Sequence, residues 1–398
     1  MKTHKLSCEI LSPIHIGSGD EIDPLSYIIK GKNLYKISFD RFLAGINDAE
    51  RLKLEELIDR GDLLLLREYV SEHIDTHRQS LYSVVVNPHV IEIYHSKKGD
   101  IQNQLLISPF IRTEGEAKPL MPGSSIKGAI RTAVISELAK KKDLPEPKNT
   151  KEEYEFESKV LGYKDAKNDP FRGVKIRDKC LDNDATIIRE IQNVSKTNGR
   201  ALKANNIQMI CEITHSDITG KFVGYQTEII FDEKLFSTAF LGTRLTREQI
   251  VKSCTEFYRD KMEAEHQKFY ENTEAESVSK RLLDTPFDQN SFLLRIGRFS
   301  GVESVTLDRY RNPKPPGKKK SWGNTRNLAE GVYPMGWVKV CFEDENIHKN
   351  RDKTIKVSNQ PDATNTKERK APEKYSGDSA SADLSMLKSK FKVKEKQK

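Results

Sequence analysis

Apolar and polar positions alternate from the start of the chain. In "KLSCEILS", Leu6, Cys8 and Ile10 stand against Ser7, Glu9 and Leu11. A period of two predicts a half-buried strand, which here runs into the Gly-Ser-Gly loop of "PIHIGSGD". "LSYIIKGKNLYKISF" predicts a hairpin turning at Gly31, Lys32 and Asn33. From Asn47 to about His77 the period becomes helical: Leu54, Leu57 and Ile58 form a stripe, Gly61 interrupts it, and Leu63 to Val70 resume it. "YSVVV", "VIEIYHS" and "QLLISPFIRT" predict further strands, and "MPGSSIKGAIRTAV" opens a helix from about Ser125 to Lys141.

After the charged break "KKKDLPEPKNTKEE", a short helix is predicted in "KEEYEFESKVLGY". "FRGVKIRDKCL", "IQMICEIT" and "KFVGYQTEIIF" predict strands. A long amphipathic helix follows from about Thr246 to Tyr270, with Ile250, Cys254, Phe257, Tyr258, Met262 and Phe269 on one broad side. "SFLLRIGRFSGVESVTL" predicts a strand, a glycine-rich loop and a helix; "YPMGWVKVCFED" predicts a last strand.

This irregular order favours an α+β fold with antiparallel sheets over a doubly wound one. The 398 residues suffice for two domains, expected at 1–170 and 171–345. A polar, Lys-rich tail at 346–398 is expected to be disordered. Within it, "DLSMLKSKF" spaces Leu384, Leu387 and Phe391 at i, i+3 and i+7, which fits either a short helix formed on a partner or an incidental pattern.

Charge changes the picture. The net charge is +8, but residues 349–398 hold 14 Lys+Arg against 7 Asp+Glu, leaving 53 against 52 elsewhere. The basic balance belongs to the tail, so any polyanion site in the body must be a local patch. Cys8, Cys180, Cys211, Cys254 and Cys341 lie far apart without a CxxC pair, which argues against a zinc ribbon or a disulfide framework. The N-terminus lacks a signal-peptide apolar region, and no apolar run approaches the roughly 20 residues that span a bilayer. A soluble, cytoplasmic protein is expected, with no membrane partner.

Three glycine-rich turns carry the candidate chemistry. In the first, Gly17 and Gly19 flank Ser18, so backbone amides there suit a phosphate or a base; His15 is a weak candidate for a general acid or base. In the second, a helix N-terminus favours an anion, Ser124 or Ser125 is a candidate N-cap, and Lys127 and Arg131 share a face beside Gly128. The same pattern fits an ordinary capped helix. It is no Walker A loop: Gly123 and Gly128 have the glycine spacing, but Ala129 and Ile130 replace the required Lys and Ser/Thr. In the third, Gly297 and Gly301 bracket Arg298, Phe299 and Ser300, with Arg309 and Arg311 beyond; glycine, cation and aromatic together suit single-stranded RNA, and the same residues fit a strand-to-helix turn with Phe299 in the core. His73 and His77 lie i, i+4, but "EHIDTH" lacks the glutamate of HExxH and a third ligand. No metal and no cofactor are expected.

Taken together, "LSPIHIGSGD", "MPGSSIKGAIRTAV", "RIGRFSGVESVT" and "YPMGWVKV" resemble the RAMP superfamily of CRISPR proteins. The glycine loop followed by "GVESVT" is most similar to the fifth-subunit family of Csm-type, type III-A effector complexes. The resemblance spans about Lys5 to Phe342. It implies two RRM-like, ferredoxin-like domains and a place at the end of a filament of repeating backbone subunits, over the 3′ part of the CRISPR RNA. It also implies a part in trimming that RNA, with host nucleases as recruited partners. RNA contact carries over to Gly17, Ser18, Gly19, Ser124, Ser125, Lys127, Gly128, Arg131, Gly297, Arg298, Phe299, Ser300 and Gly301. Processing endonucleases of the superfamily use a histidine near the end of the first strand, where His15 stands, but no partner acid or base is fixed by sequence. A metal-independent endoribonuclease and a pure protein–protein adaptor are the alternatives.

Overall fold

The structure, a computed structural model, describes residues 1–100, 105–197, 201–237, 244–307, 310 and 323–343. The expected tail and its Leu384–Phe391 pattern, with Arg309 and Arg311, lie outside the described residues.

Leu6, Cys8 and Ile10 are fully buried on one face of strand β1 (Lys2–Ile10), as the alternation predicts. Leu11, assigned to the polar side, is also buried, because the chain leaves the strand there. The remaining strands are β2 (Tyr27–Lys30), β3 (Asn33–Ile37), β4 (Ser80–Val86), β5 (Ile107–Ser108), β6 (Leu120–Met121), β7 (Val174–Ile176), β8 (Lys179–Cys180), β9 (Thr186–Thr197), β10 (Ala201–Thr214), β11 (Gly224–Phe231), β12 (Ser291–Arg295), β13 (Arg326–Ala329) and β14 (Trp337–Phe342). One sheet is antiparallel throughout, in the order β12-β14-β1-β11-β7. The second has the order β2-β3-β4-β9-β10-β5, with β13 also on β9. It is mixed, since β4 on β9 and β5 on β10 run parallel. The fold is α+β, as expected.

The boundary expected at 170/171 does not coincide with the sheets. β1 pairs with β11 and β14, and β4 pairs with β9, so each sheet draws strands from both sides of that position. Long-range pairing is what a local reading of periodicity misses.

Two 19-residue helices, Gly123–Lys141 and Arg247–Glu265, pack on the first sheet. Ile126, Ile130 and Val134 from one and Ile250, Cys254 and Tyr258 from the other share a core with Leu6, Ile10, Leu294 and Val340. The second helix is capped by Thr246 and ends in a π-helical turn at His266–Tyr270.

Three local expectations change. "VIEIYHS" is not a strand: Asn87 caps a helix at Pro88–Lys97, its side chain accepting from the His89 N–H, with proline in the first turn. Val90 meets the second sheet from it. The long strand β9 was not anticipated. Gly61, by contrast, ends the Asp48–Arg60 helix in the left-handed conformation (φ 67°), where the interruption was expected. The His73–His77 spacing has no helical face to act on: Ile74 ends the Leu63–His73 helix, His77 belongs to the next turn, and His73 stacks on Tyr69 at 4.1 Å. Among the described residues no group of three or more His, Cys, Asp or Glu is placed to hold a metal, and no helix is long and apolar enough to cross a membrane.

Candidate functional site

The three turns, far apart in sequence, meet at one cavity of about 910 Å³. The first contributes His15, Gly17 and Gly19; the helix beginning at Gly123 contributes Ser124, Ser125, Gly128 and Thr132; the third turn contributes Gly297, Arg298 and Ser300.

Backbone hydrogen bonds hold them there. Thr214 at the end of β10 receives the Ile14 N–H on Oγ1 at 3.0 Å and donates its own N–H to the Ile14 carbonyl at 2.9 Å. The His15 carbonyl accepts the Arg298 N–H at 2.9 Å, stitching the third turn onto the first. Gly336 donates to the Pro13 carbonyl and accepts from the Ile296 N–H, both at 2.8 Å. Gly297 needs to be glycine: its φ is 92°, and a Cβ would lie 2.6 Å from the His15 carbonyl oxygen. Gly19 also has positive φ (94°), whereas Gly17 does not; a Cβ at 17 would instead press on His15 Nε2 at 2.9 Å.

His15 is 1% exposed. Its Nδ1 donates to the Glu212 carbonyl at 2.7 Å, and Nε2 has no partner among the described residues. Burial pushes its pKa below the ordinary imidazole value; the Glu212 carbonyl opposes this, and nearby Arg298 adds to it. The ring is therefore neutral at neutral pH, with its proton on Nδ1 and a lone pair on Nε2. The Glu212 carboxylate is occupied elsewhere: it accepts from Thr186 Oγ1 at 2.7 Å and the Phe110 N–H at 3.0 Å, and pairs with buried Arg112.

Beneath the third turn lies a buried charge cluster that sequence reasoning missed. Arg295 and Arg326 both pair with Glu265, Arg295 Nη2 at 2.9 Å and Arg326 Nε at 3.1 Å. Arg326 also reaches Glu303 at 3.0 Å, and Arg295 Nε donates to the Met335 carbonyl at 3.0 Å. Burial opposes ionisation of Glu265, but the two arginines outweigh it and hold its pKa below the ordinary carboxylate value. "FLLRIG" reads as a strand, and nothing in it signals that Arg295 faces inward.

Several expected site residues are placed differently. Lys127 and Arg131 do share a face, but it adjoins Asp169, not the cavity. Arg131 pairs with Asp169 at 2.8 Å and Glu157 at 3.1 Å, and lies over the Phe171 ring. Its charge is satisfied inside the fold. Phe299 is buried with Ile213, Ala329 and Met335, so its ring is core and not a platform for a base. Pro122, rather than Ser124 or Ser125, is the N-cap, and both serines lie in the first turn. The helix starts early because Gly123 packs against β7, where a Cβ would collide with the Ile176 carbonyl, and its N–H donates to Asp178 at 2.7 Å. Ser300 turns inward, its Oγ donating to the Gly297 carbonyl at 2.7 Å. Gly301 (φ 74°) closes that loop without lining the cavity. Ser108 and Thr132 were missed. The signal for Thr132 was available: Ser124, Gly128 and Thr132 repeat at i, i+4 and i+8, a small polar stripe beside the more conspicuous cations.

The arrangement offers hydroxyls, a helix N-terminus, an exposed arginine and backbone approach at four glycines, all in one groove. It suits an extended polyanion held without base-specific contacts.

Comparisons with known proteins agree with the sequence resemblance. The family model of the RAMP superfamily matches residues 7–358. A CRISPR system protein, Csm5 of Methanocaldococcus jannaschii, is 30% identical over 138 residues, covering 33% of this chain and 30% of that protein. Among solved structures, a chain of a Csm–crRNA–target RNA ternary complex of a type III-A CRISPR-Cas system superposes with a TM-score of 0.61 at 20% identity, covering 86% of this chain and 100% of that one. T. onnurineus Csm5 superposes with a TM-score of 0.56 at 21% identity, covering 83% of this chain and 99% of that one. The structural matches share the fold, and the family model spans most of the sequence. The chain belongs to the RAMP superfamily.

Proposed function

We propose that this chain is a non-catalytic RNA-binding subunit of a Csm-type, type III-A CRISPR interference complex. It caps the filament of repeating subunits at the 3′ side of the CRISPR RNA and serves 3′-end maturation by recruiting nucleases. The observation that carries the RNA contact is the convergence of three glycine turns on one cavity. Similarity to Csm5, and to a chain from a Csm–crRNA complex, supports the place in the assembly. Phosphates sit against Arg298 and the first turn of the Gly123–Lys141 helix, the groups at this cavity that favour an anion.

Gly128 sharpens the proposal. It lies within that helix, is exposed to the cavity, and an added Cβ would meet nothing within 4 Å. Nothing in the described fold requires glycine there, although glycine costs a helix roughly 0.5–1 kcal/mol relative to alanine. Gly128→Ala is expected to raise thermal stability while weakening binding of single-stranded RNA. Alanine with unchanged RNA affinity would mean that no strand passes over this helix face. Arg298→Ala is expected to weaken binding and reduce the slope of log K against log salt by about one. Filter binding over a salt series reads both variants; an unchanged slope for Arg298→Ala would remove the phosphate contact.

The alternative, a metal-independent endoribonuclease using His15, is favoured by the unpartnered Nε2 and opposed by its burial. Cleavage of repeat RNA in EDTA that disappears in His15→Ala would establish it.

A further inference from the structure

We propose that Val305 is a base-contacting residue: its side chain packs against a nucleobase of the single-stranded RNA bound in this cavity. The inference rests on the RNA-binding reading above and extends it from the phosphate backbone to the bases.

Of the large apolar side chains that are exposed among the described residues, Val305 is the one that lines the cavity, and it is 53% exposed. The turn that carries it is held from below. A short helix, Val302–Val305, follows Gly301. Within it Glu303 pairs with Arg326 at 3.0 Å, and the buried Ser304 hydroxyl accepts from Arg295 Nη1 at 3.4 Å. Thr306 Oγ1 donates back to the Val302 carbonyl at 2.8 Å, and Leu307 is buried in the core. These contacts tie the neighbours of Val305 to the charge cluster and the core, and leave Val305 itself at the groove. A β-branched side chain is stiff about χ1, so holding it against a ligand costs little further ordering.

Chemistry identifies what it meets. A lone exposed valine is ordinary on an open surface. This one shares a cavity with Arg298, Ser124 and Ser125, the groups that suit a phosphate. An aliphatic side chain offers a phosphate nothing, and the part of a nucleotide that it can cover is the face of the base. The bases of a single strand can be splayed out to meet a side chain, whereas those of a duplex are stacked and enclosed. Valine reads no pattern of donors and acceptors, so the contact adds affinity without a sequence preference.

The experiment compares the purified full-length chain on a single-stranded RNA oligonucleotide and on an abasic phosphodiester strand of the same length, by fluorescence anisotropy over a salt series. Val305→Ala is expected to weaken RNA binding roughly threefold to tenfold, the size of one or two methyl groups no longer covered, with the slope of log K against log salt unchanged. Affinity for the abasic strand should stay at the wild-type value. Val305→Ile, which keeps the apolar contact, should bind RNA at least as tightly as the wild-type chain. Arg298→Ala is the opposite case: it should weaken both strands and lower the slope. An unchanged RNA affinity for Val305→Ala, or an equal loss on the abasic strand, overturns this inference and leaves the RNA-binding reading standing. A wild-type chain that binds neither strand overturns both.

Discussion

Replacing Glu265 with glutamine is expected to cost about 3–5 kcal/mol of stability, the usual consequence of removing one partner from a buried ion cluster. Glu265 is 5% exposed, Arg295 3% and Arg326 6%. Both guanidiniums lean on that carboxylate; removing its charge leaves Arg326 with Glu303 and leaves Arg295 with no carboxylate, only the Met335 carbonyl, the Ser304 hydroxyl and the Trp337 ring. Neither arginine can shed its proton at accessible pH, so the charge cannot be relieved. Glutamine fills the same volume, so the loss reports electrostatics and not packing. It should appear as a fall of several degrees in the calorimetric unfolding midpoint. Replacing Glu265, Arg295 and Arg326 together by apolar residues of similar size should cost much less than the single change. An unchanged midpoint for Glu265→Gln would show that the cluster does not brace the third turn. The pH dependence has a definite sign. A carboxylate held below its unfolded pKa contributes stability that is complete above about 4.5, and that contribution is lost as pH falls through the folded value.

Gly297→Ala is expected to damage stability and RNA binding together. A φ of 92° strains any side-chain-bearing residue by roughly 1–3 kcal/mol. The new methyl would also meet the His15 carbonyl at 2.6 Å, the oxygen that accepts the Arg298 N–H. Relief requires the third turn to lift off the first, which carries Arg298 out of the groove. Gly19→Ala is the matched control: its φ is 94°, but its Cβ would meet nothing within 4 Å. In thermal unfolding, the difference between the two variants therefore isolates the contact from the backbone strain. RNA binding measured beside thermal unfolding should show Gly297→Ala the worse on both axes. If the two variants behave alike, the junction between the turns is not what orders Arg298.

Much of this was legible before any coordinates. The alternation of Leu6, Cys8 and Ile10, the stripe from Ile250 to Met262 and the glycine of the Gly31 hairpin each follow from a repeat of two to four residues, and local periodicity reports them directly. The same logic failed where two periods compete. Ile91 and Ile93 alternate with Glu92 like a strand, but Asn87-Pro88 is a helix start, and the start signal won.

The three glycine turns, and through them the family, were also readable, and at Gly19, Gly297 and Gly301 the reason is a positive φ, which backbone geometry demands without any partner. Which side chains enter the cavity was not. Arg131, Arg295 and Arg298 look alike in sequence. One is bound to Asp169 and Glu157, one is buried on Glu265, and one is exposed at the groove. Charge says only that a partner is needed; the carboxylates that take Arg131 and Arg295 arrive from other helices and turns, 26 to 38 residues away. For the same reason the sequence marked His15 as a reactive type, while only the fold, by burying it and giving Nδ1 the Glu212 carbonyl, held it as a neutral ring with a fixed tautomer.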